Sequence, residues 1–304
     1  MKILELFSGY GTASFALKRI GMDYELVGYS DIDKYANQCF KQNHCPDDKD
    51  DKLRLGDVTK INPNELEDFD LLTGGFPCQA FSNAGNMKGE LDPRGTLFNE
   101  IIRIAEVKQP KYMLLENVKG FTFKKFKDTF DKVLSELDRI GYVVYWKVLN
   151  SKDFGVPQNR ERVWFVCFRK DVEHSFEFPE QRISPCWINF VDNSKYFKKV
   201  NKTPSRDIMR NKCKNITNLC VVGTISTKQD RFPNAGIIDC EDYYRFLTIN
   251  EQARLMGFFN DEINLDNLSH VRMEKLLGNG QDVNVVTLLF KQMFGGKKWI
   301  DKQH

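Results

Sequence analysis

The sequence predicts an α/β protein built on a mostly parallel, doubly wound sheet, with a small irregular module inserted late in the chain. Three observations carry this. Short apolar runs alternate with amphipathic helical patterns through the first half, the order that places helices on both faces of a parallel sheet. A glycine-containing turn, Phe7-Ser8-Gly9-Tyr10-Gly11, joins the first apolar run to the first helical pattern, a Rossmann-like junction. After Arg169 the alternation stops and Pro179, Pro185, Pro204 and Pro233 punctuate an irregular stretch.

Each element follows from its pattern. Ile3 to Phe7 reads as a strand, Ala13, Phe15, Ala16, Leu17 and Ile20 form a helical stripe, Leu26 to Tyr29 is a second strand, and a helix runs from Lys34 to about Asn43. Phe69 to Thr73 is a buried strand ending in a loop. Leu97, Ile101, Ile104 and Ala105 share a helix face, Tyr112 to Leu115 is a continuous apolar strand, and Phe126, Phe130, Val133, Leu134, Leu137 and Ile140 give another stripe. Helices return at Thr248 to Met256 and at Val283, Val286, Leu289, Phe290 and Met293. The expected organisation is a catalytic domain over 1–170, completed by 245–304, with a separate module over 171–244.

The composition bounds the class. With 304 residues, 41% hydrophobic and 12% aromatic, the chain can bury a substantial core. Its apolar runs are too short to span a membrane and its first residues lack a signal-peptide pattern, so a cytoplasmic address is expected; a monomer is expected separately. The eight cysteines show no Cys-x-x-Cys pair, so no metal site and no disulfide is expected and the thiols are read as reduced. A net charge of +3 is too mild to argue for nucleic acid. Its distribution says more, because Lys195, Lys198, Lys199, Lys202, Arg206, Arg210, Lys212 and Lys214 face a single Asp207. Such a run is commonly a solvated face, but it also suits a phosphate backbone.

The chemistry centres on Gly74-Gly-Phe-Pro-Cys-Gln-Ala-Phe-Ser82, which places Cys78 at the tip of a strand beside proline and glycines. A lone cysteine is commonly core, yet here the backbone lets a substrate approach a thiolate. Asp31 and Asp57 are read as the ends of the next two strands, where carboxylates can accept from ribose hydroxyls and an adenine amino group. Glu116 stands at the end of the Tyr112 strand, facing the same crevice as Cys78; the plain alternative is a helix cap or surface ion pair. In Gln158-Asn159-Arg160-Glu161-Arg162 the two arginines share one parity, which would point both to one face, suited to phosphate or a base carbonyl.

Phe-x-Gly-x-Gly at 7–11, Gly-Phe-Pro-Cys-Gln at 75–79, Glu-Asn-Val at 116–118, Gln-x-Arg-x-Arg at 158–162, Arg254 to Gly257 after Glu251, and Gly278-Asn279 together resemble the DNA (cytosine-5) methyltransferases of bacteria and phages, in motif order and over nearly the whole chain. The resemblance implies S-adenosylmethionine bound by Phe7, Gly9, Gly11, Asp31, Ile32, Asp57, Val58, Pro77, Leu97 and Asn279. Asp31 stands where many members have Glu, and Gly280 where Ser is common. It further implies that Cys78 adds to C6 of a cytosine flipped out of the duplex, with Glu116 donating at N3, Arg162 binding O2 and Arg160 a neighbouring phosphate. Gln79, Ser82 and Arg94 would belong to a loop closing over double-stranded DNA, and Gln158, Lys198, Lys199 and Lys202 would contact it. The 171–244 module would select the target, with base-reading loops around Val222 to Arg231. A cognate restriction endonuclease would act separately. Two rivals predict other residues: the related tRNA methyltransferases carry Pro-Pro-Cys where Phe-Pro-Cys stands here, and a silent DNA-binding regulator would lack Cys78, Glu116 or the glycine turn.

Overall fold

The computed structural model describes residues 1–304 except 77–96, 193–198, 205–214, 218, 228–233, 260 and 296–304. The chain divides into two compact units. The first comprises residues 1–149, 161–178 and 289–304, the second 150–160 and 179–288.

The first unit is a six-stranded sheet with helices between its strands. In chain order its elements are β1 (Lys2–Leu6), α1 (Thr12–Ile20), β2 (Glu25–Ser30), α2 (Lys34–His44), β3 (Leu71–Gly75), α3 (Leu97–Lys108), β4 (Tyr112–Val118), α4 (Lys127–Arg139), β5 (Tyr142–Asn150) and β6 (Glu161–Arg169). Spatially the strands run β2-β1-β3-β4-β6-β5. The first four are parallel and β6 is antiparallel to β4. Because the chain steps from β1 outward to β2 and then back across β1 to β3, the strand order reverses at the carboxyl ends of β1 and β3. A crevice opens at such a reversal. The core on which the sheet rests includes Leu4, Leu6, Leu72, Ile101, Met113, Leu115, Val133, Leu137 and Phe165, and Leu97 packs against it half-buried. Strand pairs such as Leu72 with Met113 explain the continuous apolar runs, since parallel strands are covered on both faces.

Residues 53–57 are not a strand of this sheet. Only Tyr29 pairs there, donating to Leu53 and accepting from Leu55 at 2.8 Å each, so Asp57 stands after a single bridge rather than at a strand end.

The second unit holds a three-stranded antiparallel sheet, β7 (Lys199–Asn201), β9 (Tyr243–Arg245) and β8 (Ile238–Cys240), with β9 in the middle. Two helices follow, α5 (Ile249–Leu255) and α6 (His270–Asn279), then α7 (Val283–Phe294), which begins in this unit and continues into the other. The division therefore differs from the expected one, since residues 245–288 group with the module rather than with the sheet. A buried ion pair lies within this region. Arg245 holds both carboxylate oxygens of Glu251 at 2.9 Å, while Glu251 also closes the capping box of α5 with Thr248 and accepts from the Asp192 amide at 2.9 Å. Helix α6 was not anticipated as an element; it follows Ser269, whose side chain makes no capping bond, and buries Leu276 and Leu277.

The expectation of reduced thiols is also corrected: Cys186 and Cys220 form a disulfide. Folding brings them together across 34 residues, with the Trp187 amide donating to the Cys220 carbonyl at 2.8 Å and the buried indole donating to Ile216 at 2.6 Å. No periodicity in sequence reports such a meeting.

Candidate active site

In the sheet unit, β1 ends in a turn where Phe7, Gly9 and Gly11 all adopt left-handed backbone, with φ of 51°, 55° and 83°. For Phe7 that conformation costs about 1–3 kcal/mol, so surrounding bonds must impose it. The Ser8 amide donates to Ser30 at 3.0 Å, the Gly11 amide to Ser8 at 2.8 Å, and the Gly9 amide to the Asp31 carboxylate at 3.0 Å. Asp31 thus braces the turn as well as standing at the end of β2, and its other oxygen accepts from the Asp33 amide at 2.8 Å. Asp33 in turn caps α2.

The two glycines are required for different reasons. A β-carbon at residue 9 would meet no atom within 4 Å, so only backbone conformation demands glycine there. A β-carbon at residue 11 would lie 2.3 Å from His44 Nε2 and 2.9 Å from the Phe40 ring. Beneath the turn, the buried Glu5 carboxylate accepts from the Ser14 amide at 3.1 Å and from the Ser14 hydroxyl, closing the first turn of α1. Burial pushes the Glu5 carboxyl up to about 7 against the pull of those donors. His44 lies on the other side. Burial, aided by the charge of Lys18, pushes its imidazole down to about 3. The neutral ring can then donate from Nε2 to the Tyr10 carbonyl at 2.9 Å and accept from Lys18 at Nδ1, 3.3 Å away. Sequence reasoning missed both groups. The signal for Glu5 was a charged residue between the apolar Ile3, Leu4 and Leu6.

Asp57 caps a short turn over Val58–Lys60. Its carboxylate accepts from the Thr59 amide at 3.0 Å and the Thr59 hydroxyl at 2.9 Å, bonds that hold it below the usual carboxylate range. Val58 is buried and its carbonyl accepts from Arg103 at 3.1 Å. Ile32 is 82% exposed between Asp31 and Asp33.

At the far side of β3, Glu116 lies within β4, which extends three residues beyond the predicted Leu115 end. It is paired in register with Gly75, the last residue of β3. Arg162 near the start of the antiparallel β6 reaches the Glu116 carboxylate through Nε at 2.8 Å. Only 8% of Glu116 is exposed, so neither a helix cap nor a surface pair describes it. The next side chain, Asn117, has a buried amide nitrogen without a hydrogen-bond partner among the described residues, as has the Ser8 hydroxyl in the glycine turn. Pro77, Cys78, Gln79, Ser82 and Arg94 lie outside the described residues.

In the second unit the reading of Arg160 and Gln158 is corrected. Parity predicts that Arg160 shares a face with Arg162, but β6 begins at Glu161 and Arg160 belongs to the segment before it. Arg160 is 2% exposed and donates to the carbonyls of Ile225, Gly278 and Gly280, at 3.3, 3.3 and 2.5 Å. A guanidinium so enclosed holds backbone, not a phosphate. Gln158 is fully buried, accepting from the Ile225 amide at 2.9 Å and donating to the Leu255 carbonyl, so it too is scaffold rather than a DNA contact. Lys199 is exposed on β7, with its ammonium 4.6 Å from the centre of the Tyr243 ring. Lys202 is tied down by Asp239 at 2.8 Å and by the Glu241 carbonyl at 2.6 Å. Lys198 and most of the basic run lie outside the described residues. Asn279 is exposed at the end of α6. Among the described residues no group of three His, Cys, Asp or Glu could hold a metal ion, and no helix is long and apolar enough to cross a membrane.

The chain is similar to known proteins in sequence and in fold. The family model of C-5 cytosine-specific DNA methylases matches residues 1–186. The orphan methyltransferase M.SPRI of Bacillus phage SPR is 43% identical over 60% of this chain, though the match takes in only 42% of that protein's length. The type II methyltransferase M.FnuDI of Fusobacterium nucleatum is 33% identical, covering 96% of this chain and 94% of its own. The crystal structure of the S. pombe Dnmt2 methyltransferase shares the fold, with a TM-score of 0.76 at 23% identity over 95% of this chain and 97% of that one. The chain belongs to the C-5 cytosine-specific DNA methylase family.

Proposed function

We propose that this protein is a sequence-specific DNA cytosine-5 methyltransferase that uses S-adenosylmethionine and acts on double-stranded DNA as a cytoplasmic monomer. The observation that supports it most is the buried Glu116–Arg162 pair at 2.8 Å, in register with the end of the strand that leads to Cys78. The residues of the glycine turn fit the cofactor. Open space lies over Gly9, the Ser8 hydroxyl is buried without a partner among the described residues, Asp31 and Asp57 offer carboxylate acceptors, and Ile32 presents an exposed apolar surface suited to adenine. Phe7, Gly9, Gly11, Val58, Leu97, Pro77 and Asn279 would complete the set. When bound, S-adenosylmethionine supplies an electrophilic methyl group.

The chain's own residues prepare the base. C5 of cytosine is a poor nucleophile until a bond from the Cys78 sulfur to C6 pushes electrons toward it, and Glu116 assists by donating a proton at N3. Arg162 holds the carboxylate in place and is suited to bind O2 of the same ring. Loss of the C5 proton to a water molecule, departure of Cys78 as its thiolate and return of the N3 proton to Glu116 restore the aromatic ring. The segment 171–244 is assigned target recognition, with Lys199 toward the DNA backbone. A cognate restriction endonuclease would act separately on the same sequence.

DNA carrying 5-fluorocytosine tests the reading directly, because fluorine cannot leave as the proton does. Wild-type protein with S-adenosylmethionine is expected to form a complex that survives denaturation, and Cys78→Ser none. Equal trapping by Cys78→Ser, or none by the wild type on any duplex, would overturn it.

A further inference from the structure

Helix α2 and the residues before it grip the glycine turn at two points. Ahead of the N-cap, Asp31 takes the Gly9 amide at 3.0 Å, and Asn37 within the helix donates to the Asp31 carbonyl at 2.9 Å. At the last residue of the helix, His44 faces the Tyr10 carbonyl through Nε2 at 2.9 Å. The imidazole lies against Gly11, edge-on to the Phe15 ring at 4.4 Å between centres and tilted against Phe40 at 4.8 Å. Its other nitrogen, Nδ1, is 3.3 Å from the ammonium of Lys18 on α1, which also donates to the Asn43 carbonyl at 3.0 Å. An ammonium only donates and a carbonyl only accepts, so both neighbours demand the same form of the ring, neutral with its proton on Nε2. A second proton on Nδ1 would point at a cation. The other titratable groups around the pair are Glu5 of β1 and Cys45 after α2, which act electrostatically on Lys18, and Tyr24 ahead of β2, which bonds the Ser14 hydroxyl.

We propose that His44 is a positioning residue for the cofactor turn, holding the Tyr10 peptide so that Gly9 and Gly11 keep their left-handed backbone, while Lys18 fixes the tautomer that lets His44 donate. All the groups concerned belong to the sheet unit. The inference rests on the proposed function, in which this turn binds S-adenosylmethionine, and it deepens that reading by naming what sets the turn's shape. Glycines pass readily between backbone conformations, so a turn that has lost one of its two grips holds this one for less of the time. A ligand that requires it then binds in proportion to the fraction that remains.

The test is calorimetric titration of S-adenosylhomocysteine into the full chain, well below its melting temperature, for the wild type, His44→Phe, His44→Gln and Lys18→Met. His44→Phe keeps a ring against Gly11 but has no donor, and is expected to weaken binding about three- to tenfold, the net contribution of one hydrogen bond. His44→Gln returns an N–H donor and is expected to recover most of that loss, and Lys18→Met to weaken binding less than His44→Phe. A merely structural histidine would lower the melting temperature of both His44 variants and leave affinity alone, and that result overturns the proposal, as does a His44→Gln no better than His44→Phe. A wild type that binds no analogue overturns the proposed function itself. Nitrogen-correlated NMR of the wild-type histidine rings decides the tautomer. The His44 ring is expected to stay neutral with its proton on Nε2 from about pH 5 to 8, where an unperturbed histidine takes up its charge. A ring that titrates there, or that carries its proton on Nδ1, overturns the proposal. Should the His44 variants not fold, Lys18→Met, changed at an exposed position, decides: affinity and His44 tautomer both unchanged from the wild type overturn the brace.

Discussion

In the sheet unit the polar groups that matter stand where strands end, whereas in the second unit they lie between loops and hold backbone. Asp31 follows β2, Glu116 and Arg162 face each other across β4 and β6, and the glycine turn follows β1. Arg160 and Gln158 instead join segments remote in sequence, and Glu251, paired with nearby Arg245, reaches back to the Asp192 amide. A parallel sheet places strand ends by topology, so chemistry can be laid along one edge with little dedicated support. A unit with three short strands and long irregular connections has no such edge, and its shape rests on side chains used as ties.

The largest effect that sharpens this contrast is on rate. Glu116→Gln keeps the shape beside Arg162 but cannot transfer a proton, and turnover is expected to fall by about two to four orders of magnitude while DNA binding persists. Single-turnover methylation measures it, and near-normal turnover would reduce Glu116 to a partner for Arg162. In the second unit the matching change is one of stability. Glu251→Ala leaves Arg245 buried without its carboxylate, a loss on the order of 3–5 kcal/mol. Calorimetry is expected to show an early transition for the second unit with the sheet transition unmoved; a single shifted transition would mean that the two regions do not differ as described.

Within the glycine turn the contrast between Gly11 and Gly9 can be read at smaller scale. Gly11→Ala adds overpacking against His44 to the cost of a left-handed backbone, about 2–5 kcal/mol together, while Gly9→Ala bears only the backbone cost of about 1–2 kcal/mol. Thermal melting of the two variants gives the comparison, and equal losses would remove the role assigned to His44. The smallest effect concerns the module surface. Lys199→Gln is expected to reduce the slope of log affinity against log salt by about 0.9, the value for one phosphate contact, and Lys202→Gln to change it less because that ammonium is already paired with Asp239. Equal slopes for Lys199→Gln and the wild type would make Lys199 a solvated residue only.

The sheet was legible because periodicity reports burial directly: β1, α1, β2 and α2 lie within one residue of their predicted bounds, and α3 begins at the predicted Leu97 and runs three residues past Ala105. The places of the glycine turn after β1 and of Asp31 after β2 were legible for the same reason, whereas Glu116 lies inside β4, two residues before its end. Asp57 was misplaced since a single bridge at Tyr29 looks, in sequence, like a short strand. Arg160 and Gln158 were misread because parity assumes one continuous extended segment, and nothing in Gln-x-Arg-x-Arg reveals that carbonyls from residues 225, 278 and 280 arrive at its middle. The Cys186–Cys220 bond is of the same kind, a meeting fixed by tertiary structure alone.

Glu5 and His44 give the glycine turn an unusual proton balance. The Glu5 carboxyl is raised from 4.5 to about 7 on folding, so the stability linked to it is present below 4.5 and fades as pH climbs toward 7. The His44 imidazole is lowered from 6.5 to about 3, so its contribution is present above 6.5 and fades as pH drops toward 3. Between 4.5 and 6.5 the two slopes oppose each other, the folded chain holding a proton on Glu5 that the unfolded chain holds on His44. Unfolding beneath the turn therefore moves a proton from one side chain to another rather than to solvent, and acidification over that interval leaves the local contribution of the pair nearly level.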